Sequence, residues 1–254
     1  MCRHLAYLGP PVPLARLLFD PPHSLVRQSW APSDMRRGGR INADGFGVGW
    51  YPDTGAGAEP VVYRRDCPIW SDRNLAGLAG AVRAGAVLAA IRSATEGMPV
   101  VETASAPFTA GGWLFSHNGV IAGWPGSVAG LAAALPVPDL LVLEAPIDSV
   151  LLWALLRHRL RGGDAVGATV TTVSDVASTA PGSRLNLLLT DSRTVIATTL
   201  GHSLWARHRP GLDVLVSSEP LDDDAAWREV PDGSLVVATI AGLAVTALGE
   251  RISR

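Results

Sequence analysis

Short apolar runs of strand period fill both ends of this 254-residue chain, and its two long helical stretches lie between them. That order, strands then helices then strands, predicts an α+β fold with mostly antiparallel sheets, because parallel sheets need a helix in every crossover. The early strands are Leu5 to Leu8, Phe46 to Tyr51, Pro60 to Arg65 and Ala86 to Arg92. The second and third pair through turn material at Asp53-Thr54-Gly55, and Trp113 to Ser116 with Val120 to Ala122 is expected to form a hairpin. Leu14 to Phe19 has the pattern of one or two helical turns. A Pro-, Ser- and Arg-rich loop follows from about Pro21 to Asn42.

The central helices are expected from Asp148, a residue suited to capping, to Arg161, and from Asp164 to about Ala177. Leu151, Leu152, Leu155, Leu156 and Leu160 form the apolar stripe of the first. Beyond Gly182 come strands at Leu185 to Thr190, Val195 to Leu200, Leu204 to Arg207, Val214 to Val216, Leu235 to Ile240 and Leu243 to Leu248, separated by turn signals such as Asp232-Gly233. No repeat and no linker interrupts the chain, so one domain is expected.

Composition removes whole classes of chemistry. The 21 basic side chains oppose 23 acidic ones for a net charge of −2, and every basic residue is arginine. Without lysine there is no Schiff base to pyridoxal phosphate, no Walker lysine and no kinase strand lysine. Two cysteines, Cys2 and Cys67, exclude a four-thiolate metal site and a disulfide framework, and point to a reducing setting. Cys67 reads as a buried structural thiol. Six scattered histidines include no helical pair at ligand spacing, so neither metal nor cofactor is expected.

Nucleic acid is not an expected partner either. Of the two arginine clusters, Arg36-Arg37-Arg40 and Arg157-Arg159-Arg161, the second reads as a helix's last turn before Gly162-Gly163, where cations suit the helix dipole. Thr103 to Pro138 carries no charge, but Pro107, His117, Asn118 and Pro125 break any run of about 20 apolar residues, and it is expected to be a buried segment rather than a membrane span. Pro10-Pro11 and Arg16 interrupt any signal-peptide core, so the expected location is the cytoplasm.

Four places carry residues fit for chemistry. Removal of Met1 would leave Cys2 with a thiol and an α-amine, a nucleophile with a built-in base; amines of this kind titrate near ~7.7–8.0. Arg92, ending a strand and followed by Ser93-Ala94-Thr95-Glu96-Gly97, can grip a carboxylate with its planar fork or simply close the strand end with a salt bridge. His117-Asn118-Gly119 is a strong tight-turn signal, yet an Asn amide beside a Gly N–H is also what an oxyanion hole requires. Asp148-Ser149 can cap a helix or bind a cation. By contrast, Asp44-Gly45-Phe46-Gly47-Val48-Gly49-Trp50 leads into a strand, so its glycines are no dinucleotide fingerprint.

In sequence order, Cys2, Asp44-Gly45-x-Gly, Arg92-x-Ala-Thr-x-Gly, His117-Asn118-Gly119 and Asp148-Ser149 resemble the glutaminase domain of class II glutamine amidotransferases, which are N-terminal nucleophile hydrolases. Ser218-Glu219-Pro220-Leu221 is likewise similar to stand-alone members. The resemblance implies a four-layer αββα sandwich over residues 2–254, with Met1 removed. It implies Cys2 as nucleophile and its own amine as base, with Asn118 and the Gly119 N–H as the oxyanion hole. Arg92 and Thr95 would then bind the α-carboxylate of a glutamyl group and Asp148 its α-ammonium, with His117 beside them in the substrate pocket.

There are departures from the family pattern. Glu96 stands at a position that is often histidine, Ala106 precedes Pro107-Phe108 where histidine is usual, and Val150 replaces an acidic residue. These lie around the pocket and imply a changed leaving group.

A stand-alone unit implies simple hydrolysis of a small γ-glutamyl amide. The Cys2–Gly9 opening and the Asn42–Tyr51 block resemble the branch of the family that works in ergothioneine biosynthesis, which removes glutamate from γ-glutamyl-hercynylcysteine S-oxide. The trimethylammonium of that substrate favours aromatic faces, and the chain has eight Trp, four Phe and three Tyr. The alternatives are a glutaminase subunit feeding ammonia to a separate synthase and a γ-glutamyl dipeptide hydrolase of thiol recycling.

Overall fold

The computed structural model describes residues 2–34, 41–52 and 57–249. The arginines at 36, 37 and 40 and the turn at 53–55 lie outside the described residues. Two sheets make the centre. The first contains β1 (Arg3–Pro13), β2 (Phe46–Trp50), β3 (Val61–Arg65), β4 (Arg83–Ile91), β9 (Trp205–Arg209), β10 (Asp213–Ser217) and the two-residue β11 (Arg228–Glu229). Their spatial order is β11-β9-β10-β1-β4-β2-β3. The second contains β5 (Phe108–Ala110), β6 (Trp113–Val120), β7 (Arg184–Thr190), β8 (Val195–Thr198), β12 (Ser234–Ala238) and β13 (Leu243–Ala247) in the order β13-β12-β8-β7-β6-β5. All pairings are antiparallel, as the order of elements predicts.

Strand alternation sorts the apolar side chains into three cores. Ala6, Leu8, Ala86, Leu88, Leu114 and Leu188 meet between the sheets. Their neighbours Leu5, Tyr7, Val87 and Ala89 face outward, under α1 (Ala15–Leu18), α2 (Leu25–Gln28) and α3 (Leu75–Ala81). On the far side Phe115, Leu185, Leu187 and Leu189 lie under α6 (Asp148–Leu160) and α7 (Ala165–Thr179), so the layers run helix, sheet, sheet, helix. Helix α6 is buried almost all round, which its leucine content permits, and the Trp153 ring stacks on Phe115 of β6 at 5.3 Å. The Asp164 side chain caps α7 by accepting from the Gly167 N–H at 2.9 Å.

Several expectations change. The hairpin expected within Trp113–Ala122 is absent: β6 runs straight through Asn118-Gly119, held by seven consecutive pairs with β7 from Leu114↔Thr190 to Val120↔Arg184. Ladder pairing over that length outweighs the local turn preference. The uncharged segment is buried only in part, since its last residues form α4 (Ala129–Ala133) and the start of α5 (Val137–Leu141) at the surface, where Val137 is 64% exposed. All three of α3, α4 and α5 are short, and α3 and α4 are rich in Ala and Gly, so they carry little apolar period to read.

Cys67 is half-buried rather than buried. The arginines closing α6 pair with acids: Arg157 and Arg161 with Asp139 of α5, and Arg159 with Asp175 of α7. Among the described residues no helix is long and apolar enough to cross a membrane.

Candidate active site

Period-two geometry carries His4, Ala6 and Leu8 of β1, with Cys2 just before it, to the face between the sheets, and Leu114, Ser116 and Asn118 of β6 to the opposing face. At one end of that interface a narrow cleft of about 20 Å³ opens, lined by Cys2, Ala90, Ile91, Arg92, Ala104, Ala106, Phe108, Ser116, His117 and Ser149. A wider cleft lies between Leu8-Gly9 and the 191–194 turn, but no cysteine lines it.

Cys2 is half-exposed, with its thiol 3.7 Å from the Ser93 carbonyl. Arg92, buried at the end of β4, is seated by reciprocal backbone bonds: its N–H reaches Gly45 O at 2.8 Å and its carbonyl accepts from Asp44 N at 3.0 Å. Its guanidinium touches the Asp44 carbonyl at 3.4 Å, while the Asp44 carboxylate accepts from Ala94 N at 2.8 Å. The salt bridge that could have closed the strand end is therefore replaced by backbone contacts. Thr95 lies three residues on, exposed in the following loop, and is not among the cleft's lining residues.

Asn118 is 1% exposed, and neither its amide nitrogen nor its amide oxygen has a hydrogen-bond partner among the described residues. Gly119 N–H direction follows from the ladder. Its partner Leu185 gives its own N–H to Leu200 O, so Gly119↔Leu185 is a non-hydrogen-bonded pair and the Gly119 N–H turns away from β7. On that side β5 has already ended, at Phe108↔Phe115.

Two residues on, the Ile121 N–H points the same way and donates to Asp148 Oδ2 at 3.0 Å. Asp148 is buried, and its Oδ1 accepts from Ser149 N at 2.7 Å. It is the first residue of α6, not its cap; Ile147 holds the cap position with no side-chain bond.

His117 faces the helix layer. Its Nε2 lies 2.9 Å from Arg184 O, an acceptor only, so Nε2 carries the proton and Nδ1 accepts from Ser149 Oγ at 3.0 Å. Burial pushes the ring's pKa down, against the opposing pull of Asp148, in keeping with a neutral ring. The ring occupies the space over Gly119, where a Cβ would lie 1.9 Å from Arg184 O and 2.4 Å from His117 Nε2. Glycine is required here for room.

Room also explains the alternating glycines of β2. A Cβ at Gly47 would meet Ala106 O at 2.4 Å and one at Gly49 would meet Leu114, while Gly45 adopts φ +130° against Ser105. The bare face lets the 104–108 wall of the cleft close on the first sheet. Of the three departures from the family pattern, Ala106 lines the cleft, Glu96 is exposed and Val150 is buried in the helix core.

Three features escaped sequence reasoning. Arg3, next to Cys2, is buried in an ion pair with Glu219 at 2.9 Å, and Glu219 also accepts from Ser33 N at 2.7 Å. Arg3 further donates to the Asp34 carbonyl, so the Ser-Glu-Pro-Leu motif ties the 29–34 loop to the base of the nucleophile. His4 and Ser116 bond across the sheets at 3.2 Å. Asn186, opposite Asn118 on β7, fastens the 200–203 turn by donating to the carbonyls of His202 and Ser203 and accepting from Leu200 N and His202 N. The visible signal was polar residues of period two where apolar ones would continue the strand. Among the described residues no cluster of three or more His, Cys, Asp or Glu side chains is arranged to hold a metal.

The family model for class II glutamine amidotransferases matches residues 22–211. The chain is 42% identical over 248 residues to the gamma-glutamyl-hercynylcysteine sulfoxide hydrolase of Mycolicibacterium smegmatis, an alignment covering 98% of this chain and 100% of that one. It is 41% identical over 249 residues to the protein of the same name from Mycobacterium tuberculosis, covering 98% of this chain and 97% of the other. Among solved structures, a glutamine aminotransferase class-II domain protein from Silicibacter pomeroyi superposes with TM-score 0.69 at 26% identity, over 97% of this chain and 99% of that one. The glutamine phosphoribosylpyrophosphate amidotransferase of B. subtilis shares the fold at TM-score 0.64 and 14% identity, with 97% of this chain matching 49% of that one. The protein belongs to the class II glutamine amidotransferase family.

Proposed function

We propose that this protein hydrolyses the γ-glutamyl amide bond of γ-glutamyl-hercynylcysteine S-oxide, a small-molecule substrate, releasing glutamate and hercynylcysteine S-oxide. One observation carries the chemistry: a single cleft gathers Cys2, Arg92, Ser116 and His117, and the next residue along β6, Asn118, has a buried amide with no partner among the described residues. Near-full-length similarity to hydrolases bearing that substrate's name supports the choice of leaving group. Ala106, where histidine is usual in the family, puts a small side chain in the cleft wall.

In the mechanism, Met1 is removed and residues 2–254 act as one catalytic unit in the reducing cytoplasm. The Cys2 α-amine takes the thiol proton, and sulfur attacks the γ-carbonyl carbon. The oxyanion that forms is held by the Asn118 amide and the Gly119 N–H. The C–N bond then breaks, and the leaving amine departs with the proton from the α-ammonium. Water, giving a proton back to the α-amine, attacks the thioester, frees glutamate and restores the thiol.

Arg92, helped by Thr95, holds the glutamyl α-carboxylate, and Asp148 holds its α-ammonium, so that the γ-carbonyl rests over sulfur. His117, with both ring nitrogens engaged, lines the pocket and keeps Ser149 and Gly119 in place.

Mass spectrometry of the quenched enzyme tests the reading. Wild-type protein should gain a glutamyl group on Cys2, and Cys2→Ala should bind substrate but neither acylate nor turn over. Full activity in Cys2→Ala would end the proposal. Turnover of glutamine in preference to the S-oxide would indicate an ammonia-supplying subunit, and preference for γ-glutamylcysteine a thiol-recycling hydrolase. Arg92→Ala should raise KM by about 10–100-fold with a smaller change in kcat, the worth of a charge-assisted contact. An unchanged KM would remove Arg92 from the glutamyl site.

A further inference from the structure

We infer that His4 is a positioning residue: its hydrogen bond to Ser116 sets the spacing between the Cys2 thiol and the Asn118 amide. The inference rests on the cysteine-hydrolase reading above.

The two reacting groups stand on different sheets. β1 pairs with β4 and β10, and β6 pairs with β5 and β7, so no ladder bond connects the strand that follows Cys2 to the strand that carries Asn118. Their separation is an inter-sheet distance. Over most of the interface that distance is set by apolar packing of residues such as Ala6, Leu8, Leu88, Leu114 and Leu188, which is non-directional. Close to the nucleophile the composition changes. His4 lies two residues after Cys2, and Ser116 two residues before Asn118, so period two brings all four to the facing surfaces. There His4 Nδ1 and Ser116 Oγ meet at 3.2 Å.

Both ends of this bond are anchored. The His4 N–H donates to Ser218 Oγ at 3.0 Å, and the His4 carbonyl accepts from Ser218 N at 3.0 Å. Ser116 sits within the β6–β7 ladder, opposite Leu188.

The residue choice is costly unless it does something. His4 is fully buried and its Nε2 has no partner among the described residues, whereas an aliphatic residue would continue the Ala6–Leu8 row without burying a polar atom. Burial, reinforced by the neighbouring His117, His202 and Arg3, pushes the ring down to about 3, so the imidazole is neutral and acts through its hydrogen bond rather than as acid or base. A broken local rule beside a reacting group marks a site where placement outranks stability.

Steady-state kinetics on a γ-glutamyl substrate should be measured for wild type, His4→Leu, His4→Asn, Ser116→Ala and the His4→Leu/Ser116→Ala pair. Iodoacetamide alkylation of Cys2 should be measured in parallel, since it needs the thiol but no oxyanion donor. His4→Leu and Ser116→Ala are each expected to lower kcat by about 10–100-fold with KM within about threefold, the penalty of sub-ångström misplacement. The pair should be no worse than either single variant, because both remove one interaction. His4→Asn, which can offer an amide near the Nδ1 position, should recover most of the loss, and Cys2 alkylation should stay near the wild-type rate throughout.

Independent, multiplying losses in the pair, or a Ser116→Ala enzyme with wild-type kcat, would overturn the inference. Ser116→Ala keeps the strand and its packing, so it decides the matter even if His4→Leu does not fold. Wild-type protein that neither acylates nor turns over would instead reject the hydrolase reading itself.

Discussion

Asn118 shows how a cost can identify a function. A buried amide with no partner forfeits about 1–3 kcal/mol relative to one that is satisfied. Both polar atoms of this side chain are in that state, on the face shared with Cys2. Such a group is prepared for a charge that appears only during reaction. Asn118→Ala is therefore expected to lower kcat by about 10²–10³-fold, the usual worth of an oxyanion donor. Its effect on stability should have the opposite character: with no bond to lose, the melting temperature should hold or rise. A variant that unfolds early with its residual kcat unchanged would make Asn118 structural.

At the scale of elements, β6 decides the site. A chain reversal at Asn118-Gly119 would have sent the next residues back along Trp113–Ser116. Instead the strand continues, and the Gly119 and Ile121 N–H groups share its edge away from β7, the second held by Asp148. Gly119 is then a matter of space, not of turn geometry. Gly119→Ala should displace the His117 ring from Arg184 O, costing about 1–3 kcal/mol by overpacking and most of the activity with it.

Gly77 in α3 provides the contrast, because a Cβ there meets nothing within 4 Å. Gly77→Ala should stabilise by about 0.5–1 kcal/mol through helix propensity and leave turnover alone. Urea melts and turnover of the two variants check the pair; equal effects would mean that crowding at Gly119 is not the governing factor.

For the molecule as a whole, the buried histidines govern behaviour in acid. Burial, with nearby positive groups, drives both His4 and His202 down to about 3, and burial lowers His117 as well. In the unfolded chain each titrates near ~6.5. Between those values the unfolded state holds more protons, so the stability these rings allow is complete above pH ~6.5 and declines as pH falls toward 3. Each group contributes a slope of up to about 1.4 kcal/mol per pH unit.

Asp139, held down to about 2 chiefly by Arg161, acts in a lower window: its contribution is present above pH ~3.9 and is lost as pH falls through 2. Unfolding free energies from urea melts at pH 7, 6 and 5 should therefore decrease, with uptake of more than one proton on unfolding. His4→Asn should remove about one of those protons. A flat profile from pH 7 to 5 would contradict the burial of these rings in neutral form.

Much of this was legible in the chain itself. The alternation of apolar residues determined the sheets, the two leucine- and valine-rich stretches determined the central helices, and the order of Cys2, Arg92, Asn118-Gly119 and Asp148 determined the family. Those properties are local, repeating every two or 3.6 residues or standing in a motif. Only the tertiary structure decided that Asn-Gly lies inside a strand, that Asp148 reaches back to Ile121 rather than capping its helix, that Glu219 anchors the Arg3 guanidinium, and that His4 meets Ser116. Those contacts join residues far apart in sequence, 112 positions in the case of His4 and Ser116. Each partner taken alone satisfies a simpler local explanation, and the packing of two sheets selects among them.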